Sequence, residues 1–588
     1  MSAVTRRRGV NPYIEVQLAG LAIGLGTSLL LSAWGAAWIV AEAEDLERPA
    51  EQPWMMVFEL LRKEYVWPGR AAVVVAVVIM LVITTAAAVG YLAYKHRDTV
   101  LIDRAVRYLA KPRDLRPFVT RGARESAARL GLPDGTVPGV YLGKTVGRET
   151  DLWGSWEDMH VDIWGPRTGK TSSRAIPNIV SAPGAVVVTS NKRDVLDATR
   201  GVRETKGQVW VFDPQGQASE PAWWYWDPLQ YVGSNIVRAI KMAGRFSSIN
   251  RPAHARSDAF FEPAAEDLIS HLLLAASLGG RPITQVYTWL TRPNDDSAAR
   301  ILRDHAKHES AEAVESVLSS PELQRAGVFG VATQIMSFLV APSMTEWVTP
   351  GSDPDRPKFD YLEFVKSNDT IYMMSEETSK AAAPLIVALT AALAEAAENE
   401  SIGKPNGRLP IPMLFVLDEA ANVCPWGALP DKYSHFGSRG IVMMTILQSW
   451  AQGVAAWGDT GMKKLWGAAN VRVYGGGAAE TDFLGAMAKM SGVFEPRTVG
   501  SSGKIGDRPS YSMGSRSETV LDESDLASMP RGRAFVMFSG SRPVLIKTVP
   551  WWTTSAAEVV KESIARFDPG KAAPDPAVLA ASGVSLRK

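Results

Sequence analysis

Two long apolar stretches dominate the start of the chain. One runs from about Ile14 to Val40, interrupted only by Glu15 and Gln17 near its beginning, and the other from about Ala71 to Tyr94 without a charge. Each has about the 20 residues that a helix needs to cross a bilayer. The second is too uniformly rich in Val, Ile and Ala to offer a solvent face, which argues against a buried core helix. A cleaved signal peptide is the rival for the first, but acidic residues follow it rather than a small-residue cleavage site. The connecting loop carries Glu42, Glu44, Asp45, Glu47, Glu51, Glu59 and Glu64. Basic residues precede the first stretch (Arg6, Arg7, Arg8) and follow the second (Lys95, Arg97, Arg104, Arg107, Lys111, Arg113, Arg116). The positive-inside rule then places both ends in the cytoplasm and the loop outside.

After these stretches the pattern changes to short, continuous apolar runs bounded by helix-like segments. They are Val161 to Trp164, Ala185 to Thr189, Val209 to Phe212, Ile371 to Met374, Met413 to Leu417, Ile441 to Ile446 and Val471 to Tyr474. Unbroken β-branched runs, rather than alternating ones, suit parallel strands covered on both faces. The predicted fold class is α/β. Between about 235 and 350 helical periodicity replaces strand signals, as in Ala264 to Ser277, Ser297 to His308 and Glu309 to Ser319; this is far longer than a loop and reads as an inserted all-α domain. Arg533 to Phe538 and Val544 to Thr548 flank Ser539-Gly540-Ser541, a hairpin signal. The expected organisation is a membrane domain over 1–95 with spans at about 14–40 and 71–94, and a basic linker and lead-in over 96–150. A nucleotide-binding domain over 151–234 and 351–560 follows, with the all-α insert at 235–350 and a flexible tail at 561–588. The Gly/Ser-rich stretch from about Gly500 to Ser517 reads as a mobile loop.

Composition adds limits. A chain of 588 residues is too long for one core. A net charge of +1 gives no global attraction to nucleic acid, so any such surface is local. The lone cysteine, Cys424, excludes an internal disulfide and a cysteine-based metal site, and with no His partner nearby it reads as structural. The histidines show no ligand spacing, and no zinc is expected.

The candidate chemistry lies in Trp164-Gly165-Pro166-Arg167-Thr168-Gly169-Lys170-Thr171, which follows an apolar run and precedes a helical segment, Ser172 to Ile179. That is the setting of a P-loop. Its backbone N–H groups, from Gly165, Arg167, Thr168, Gly169, Lys170, Thr171 and Ser172, curl around phosphates, with Pro166 inside the turn. Lys170 reaches the β/γ-phosphates and Thr171 supplies a hydroxyl to Mg²⁺. The usual first glycine position holds Trp164, with Gly165 one place later. The strand Met413 to Leu417 then delivers Asp418, expected to hold the Mg²⁺ shell, and Glu419, expected to polarise the attacking water. Gln448, after the strand starting at Ile441, is a candidate γ-phosphate sensor. Arg439, just before that strand, is a candidate for stabilising transition-state charge in cis or from a neighbouring subunit, or else a surface arginine capping the preceding helix. ATP and Mg²⁺ are the expected cofactors.

Together these stretches resemble the coupling-protein ATPases of conjugative type IV secretion, the TraG/TraD type. The likeness rests on Gly165 to Thr171, Ile176-Pro177-Asn178, Ser181 to Lys192, Val211 to Pro214, Leu417 to Ala420 and Thr445 to Ser449. It implies a RecA-like nucleotide domain, an all-α domain facing the cytoplasm and hexameric rings at the inner membrane. It further implies partners: single-stranded DNA linked to a relaxase, relaxosome proteins or protein effectors, and the components of the secretion channel. A double-stranded DNA translocase of the FtsK/TraB kind would be expected to add a winged-helix module, for which the tail is too short. A type VII secretion ATPase usually strings several P-loops together, and a silent cargo receptor remains an alternative because of Trp164. The run Trp223-Trp224-Tyr225-Trp226 reads as core packing in preference to a base-stacking platform. The Arg104 to Arg129 cluster reads as a juxtamembrane anchor, and Trp551-Trp552 as packing near the hairpin.

Overall fold

The computed structural model describes residues 14–95, 100–249, 260–353, 355–376, 379–494, 497–502, 510–515 and 517–570. The chain divides into two compact units, with the division between Leu101 and Ile102.

The first unit contains helices Ile14–Ala43, Pro53–Arg62 and Gly69–Lys95. Both expected apolar spans are helical. Ala36, Ala37 and Ala72 are buried, so small residues let the two long helices approach. Val74, Leu81 and Val82 are more than half exposed. Only one other helical span among the described residues, Lys380–Ile402, is as long and apolar, and it is buried inside the second unit.

The second unit is built on an eleven-stranded sheet. Its strands are β1 (Val140–Thr145), β2 (Asp151–Gly154), β3 (His160–Ile163), β4 (Val186–Ser190), β5 (Val209–Phe212) and β6 (Thr370–Met374). They continue with β7 (Met413–Leu417), β8 (Ile441–Leu447), β9 (Val471–Tyr474), β10 (Arg533–Phe538) and β11 (Val544–Lys547). The spatial order is β2-β1-β11-β10-β9-β3-β8-β7-β4-β6-β5. From β9 to β5 every neighbouring pair is parallel. The remaining pairs are antiparallel, including the β10–β11 hairpin. The central strands β3, β4, β6, β7 and β8 are buried at every position, which is why β4, β6, β7 and β8 read as mostly continuous apolar runs; β3 buries His160 and Asp162 among its four residues.

Between β5 and β6 all regular elements among the described residues are helices, including Ile236–Ile249, Phe261–Leu278, Ser297–Asp304, His308–Ser319 and Glu322–Ile335. The aromatic run lies at their base. Trp224 and Trp226 are fully buried, and Trp224 meets Trp347 and Phe359 edge-on or tilted. Trp223 stacks on Trp210 with part of its ring exposed. The run is core.

Several expectations need correction. The stretch 96–150 is more than a linker, because β1 joins the sheet between β2 and β11, and Asp103 forms a two-bond ion pair with Arg533 of β10 (2.7 and 2.8 Å). Within the Gly500–Ser517 stretch, Ser510–Ser515 pairs antiparallel with Arg497–Ser502 as a two-stranded ribbon instead of a loop. The expected tail at 561–588 begins inside a helix, Ala557–Phe567, that packs on Asp194–Glu204. Ser563 Oγ donates to Asp197 O (2.6 Å) and accepts from Gly201 N–H (2.9 Å), while Arg193 donates to Phe567 O (2.8 Å). Residues 571–588 of that tail lie outside the described residues. Trp551 packs with Ile176, Ala198 and Val560, a cluster that holds no residue of the hairpin strands.

One buried cation joins the entrances of β4 and β6. Arg203, wholly buried, donates to Ala182 O, Gly184 O and Asn368 O (2.8 Å each) and to Thr370 Oγ1 (2.6 Å). Arg203→Met leaves these acceptors buried without a donor. It is expected to lower unfolding stability by about 2–4 kcal/mol, read by chemical denaturation.

Candidate functional site

The carboxyl edge of the parallel strands gathers the sequence-predicted residues. β3 ends at Ile163, and Trp164 N–H continues the ladder to Leu447 O of β8 (2.9 Å). The Trp164 side chain is fully buried in the core and packs on Gly475, where a Cβ would collide with its ring. Gly165 N–H bonds to Gly476 O (2.9 Å), and a Cβ on Gly165 would lie 2.5 Å from Gly477 O. The departure at Trp164 is therefore a packing position, and Gly165 is the first residue that must be glycine. The Gly475-Gly476-Gly477 run, which lets the loop approach β9 this closely, was missed in the sequence. A glycine run directly after an apolar strand was the available signal.

Beyond Gly165 the loop curls. Arg167 and Gly169 take positive φ (61° and 98°), Thr168 Oγ1 donates to Gly165 O (2.6 Å), and Ser172 Oγ donates to Gly169 O (3.2 Å). Among the described residues, the backbone N–H groups of Arg167 and Gly169 make no hydrogen bond to another backbone group. Pro166 and Arg167 are exposed, so the concave turn faces solvent with donors to spare. Such a turn suits an anion. The segment after it is helical, as expected, in two parts: Thr171–Ala175 is a wide π-helical turn, closed by Ile176 N–H to Thr171 O, and Ile176–Ser181 is α-helical.

The structure brings Lys170, Asp418, Glu419 and Gln448 together. One strand, β8, separates β3 from β7, and Gln448 follows its end. Lys170 Nζ lies 3.0 Å from Asp418 Oδ1 and forms a short ion pair with Glu419 Oε1. Gln448 Nε2 donates to the same Glu419 oxygen (2.7 Å), so the amide is directed to the carboxylate. Glu419 adopts φ of 54°, a left-handed turn that sits between β7 and the short helix Ala420–Val423. Its Oε2 is buried without a partner. Asp418 is fixed from below by Thr189 Oγ1 of β4 donating to its carbonyl (3.1 Å). Burial pushes the Asp418 carboxyl up to about 6; Lys170 opposes this and Glu419 reinforces it. For Lys170, burial pulls downward, but the two carboxylates outweigh it and hold the amine above the usual lysine value.

Arg439 is not brought to this cluster within the chain. It stands at the amino-terminal end of β8, the opposite edge of the sheet, with Nε 3.4 Å from Glu398 Oε1 and a hydrogen bond to Ser401 Oγ (3.3 Å). Cys424 is buried against Thr390 (Sγ to Oγ1 3.6 Å), and burial pushes its thiol up to about 12, consistent with packing rather than chemistry.

Residues 412–531, which include Asp418, Glu419 and Gln448, match the family model described as the TraM recognition site of TraD and TraG. The fold matches solved structures of the bacterial conjugative coupling protein TrwBdeltaN70. The unbound monoclinic form aligns at TM-score 0.50 and 15% identity over 72% of this chain and 91% of that one. The trigonal sulphate complex aligns at 0.51 and 15%, over 72% and 92%. The resemblance to TraG/TraD-type coupling proteins is borne out. A TrwB structure in complex with a non-hydrolysable ATP analogue aligns at TM-score 0.50 and 14% identity, over 72% and 92%. The expected RecA-like α/β fold class is borne out. Comparison with curated proteins by sequence gives no match.

A carboxyl raised in the folded state takes up a proton as pH falls through about 6, whereas an unfolded Asp does so near 4. Between those values the native state binds more protons, so this group makes stability fall as pH rises. The melting midpoint of the ligand-free protein, compared with Asp418→Asn between pH 4 and 6, is expected to show that slope in the wild type and its loss in the variant.

Proposed function

We propose that this chain is a membrane-anchored ATPase of the conjugative coupling type, which binds Mg·ATP at its carboxyl-edge cluster and couples hydrolysis to substrate transfer through a type IV secretion channel. The observation that carries the reading is the convergence of Lys170, Asp418, Glu419 and Gln448 beside a loop with spare backbone donors. The residues fit the nucleotide: Gly165, Pro166, Arg167, Thr168, Gly169, Lys170, Thr171 and Ser172 form the cradle, and Lys170 carries the charge for phosphate. Thr171 and Asp418 would hold Mg²⁺, which when bound offsets charge on the phosphate oxygens. The unpartnered Oε2 of Glu419 suits a general base, which needs an oxygen free to accept from water, and Gln448 orients that carboxylate. Arg439, remote within its own chain, acts in this reading only across a subunit boundary of a homo-hexameric ring.

Membrane anchoring is supported by the exposed apolar side chains of Gly69–Lys95, which water would solvate poorly and lipid would cover. Charge on either side of the helices supports a two-pass topology in the inner membrane, with the bulk of the chain cytoplasmic. The cargo, by the family likeness, is single-stranded DNA bearing a relaxase, or an effector protein. The matched TraM-recognition description supports docking of a relaxosome protein on residues 412–531. A silent receptor loses its motive, because Trp164 packs in the core and leaves the cradle intact.

Full-length protein in detergent is expected to hydrolyse ATP faster with single-stranded DNA. Glu419→Gln should bind nucleotide but turn over about 100-fold more slowly or worse. Lys170→Ala should lose nucleotide binding. A wild type without ATPase activity under these conditions, or variants that match it, would rule the proposal out.

A further inference from the structure

Beneath the loop lies an ion pair that the nucleotide reading does not use. Asp162 sits within β3, two residues before Trp164, and Arg174 sits on the wide turn after Lys170. Both side chains are wholly buried, with Arg174 Nε 2.6 Å from Asp162 Oδ2 and its Nη2 3.3 Å from Oδ1. Arg174 Nη1 donates to Tyr141 O of β1, and Nη2 lies 3.4 Å from His160 Nδ1. His160 is kept neutral, because burial and the neighbouring guanidinium push its pKa well below the usual value. The Asn178 side chain closes the set: Nδ2 donates to Arg174 O (2.7 Å) and Tyr141 O (3.1 Å), and Oδ1 accepts from Tyr141 N–H (2.7 Å).

A buried ion pair is a poor source of net stability, since desolvation offsets most of the attraction and apolar substitutes often do as well. What this pair provides is geometry. The guanidinium is a planar fork held at each end, and it fixes one backbone turn against the strand that launches the loop. That turn is a π-helical one, a widened form that is rare and concentrates at functional sites. Thr171 opens it.

We propose that Arg174, clamped by Asp162, is a positioning residue that holds the wide Thr171–Ala175 turn so that the Thr171 hydroxyl is set for a divalent cation beside the nucleotide. This rests on the nucleotide-binding reading above. It assigns Arg174 no contact with nucleotide or metal.

The test is titration of full-length protein in detergent with a fluorescent ADP analogue, in EDTA and over a range of MgCl₂. Two variants are compared: Arg174→Lys, which keeps charge but loses the fork, and the double Asp162→Asn/Arg174→Met, which leaves no orphan charge. Affinity in EDTA should stay within about twofold of wild type, while the Mg²⁺ concentration for half-maximal enhancement rises about tenfold or more, as for other residues that orient metal ligands. Arg203→Lys, a buried arginine away from the loop, serves as a stability control and should leave the Mg²⁺ requirement unchanged. Unchanged Mg²⁺ dependence in both folded variants overturns the inference. So does an equal loss of affinity with and without Mg²⁺, which would mark the pair as purely structural. Absence of nucleotide binding by the wild type would instead sink the functional reading on which the inference stands.

Discussion

An ammonium group wedged between two buried carboxylates constrains the rest of this molecule. Lys170 and Glu419 are 249 residues apart in sequence, yet both lie in an environment where an unpaired charge would be strongly destabilising. Neither half of the cluster can be buried before the other arrives. The sheet order meets this demand by placing β8 alone between β3 and β7, so that the loop and the acidic strand end emerge at one edge. The left-handed turn at Glu419 and the amide of Gln448 then complete the set: two carboxylates and one amide around one amine.

Around that cluster the packing is of two kinds. On the β9 side, Trp164 and the Gly475 to Gly477 run exchange bulk for smallness, so the loop lies directly against backbone. Below, the Asp162–Arg174 pair with Tyr141, His160 and Asn178 uses directional bonds instead. Contact packing limits how far the loop can shift, while the hydrogen-bonded layer sets its orientation. The exposed turn at Pro166 and Arg167 is left as the accessible part.

The central strands and the residues of the cluster were legible because doubly covered parallel strands read as unbroken apolar runs, and because their polar ends stand out against them. β1 was not. It is a strand near the sheet margin, with a bulge between Tyr141 and Gly143 and the charged Lys144 in its length, so it lacks both continuity and alternation. The ribbon pairing Arg497–Ser502 with Ser510–Ser515 is rich in Gly and Ser, whose composition signals a loop. The helix Ala557–Phe567 abuts a Pro/Ala-rich end, and only its long-range partner, Asp194–Glu204, marks it as part of the fold. Arg439 was placed by its nearness to Gln448 along the chain, but a seven-residue strand carries the two to opposite edges of the sheet. Asp162 was visible as an acid inside an apolar run, yet its partner lies on another element, which periodicity does not reveal.

Strand β1, next to the edge strand β2, pairs with β11, and the helix Ala557–Phe567 closes over Asp194–Glu204. Apart from its pairing with β2, this first strand of the second unit therefore finds its sheet partner about 400 residues later in the chain, where Lys547 faces Lys144. On a ribosome adding about 5–20 residues per second, the unit waits for tens of seconds with its central strands unpaired at one flank. During that interval β1 and β9 each present an unpaired strand edge, so the unit is open to edge-to-edge association until residues 533–547 arrive.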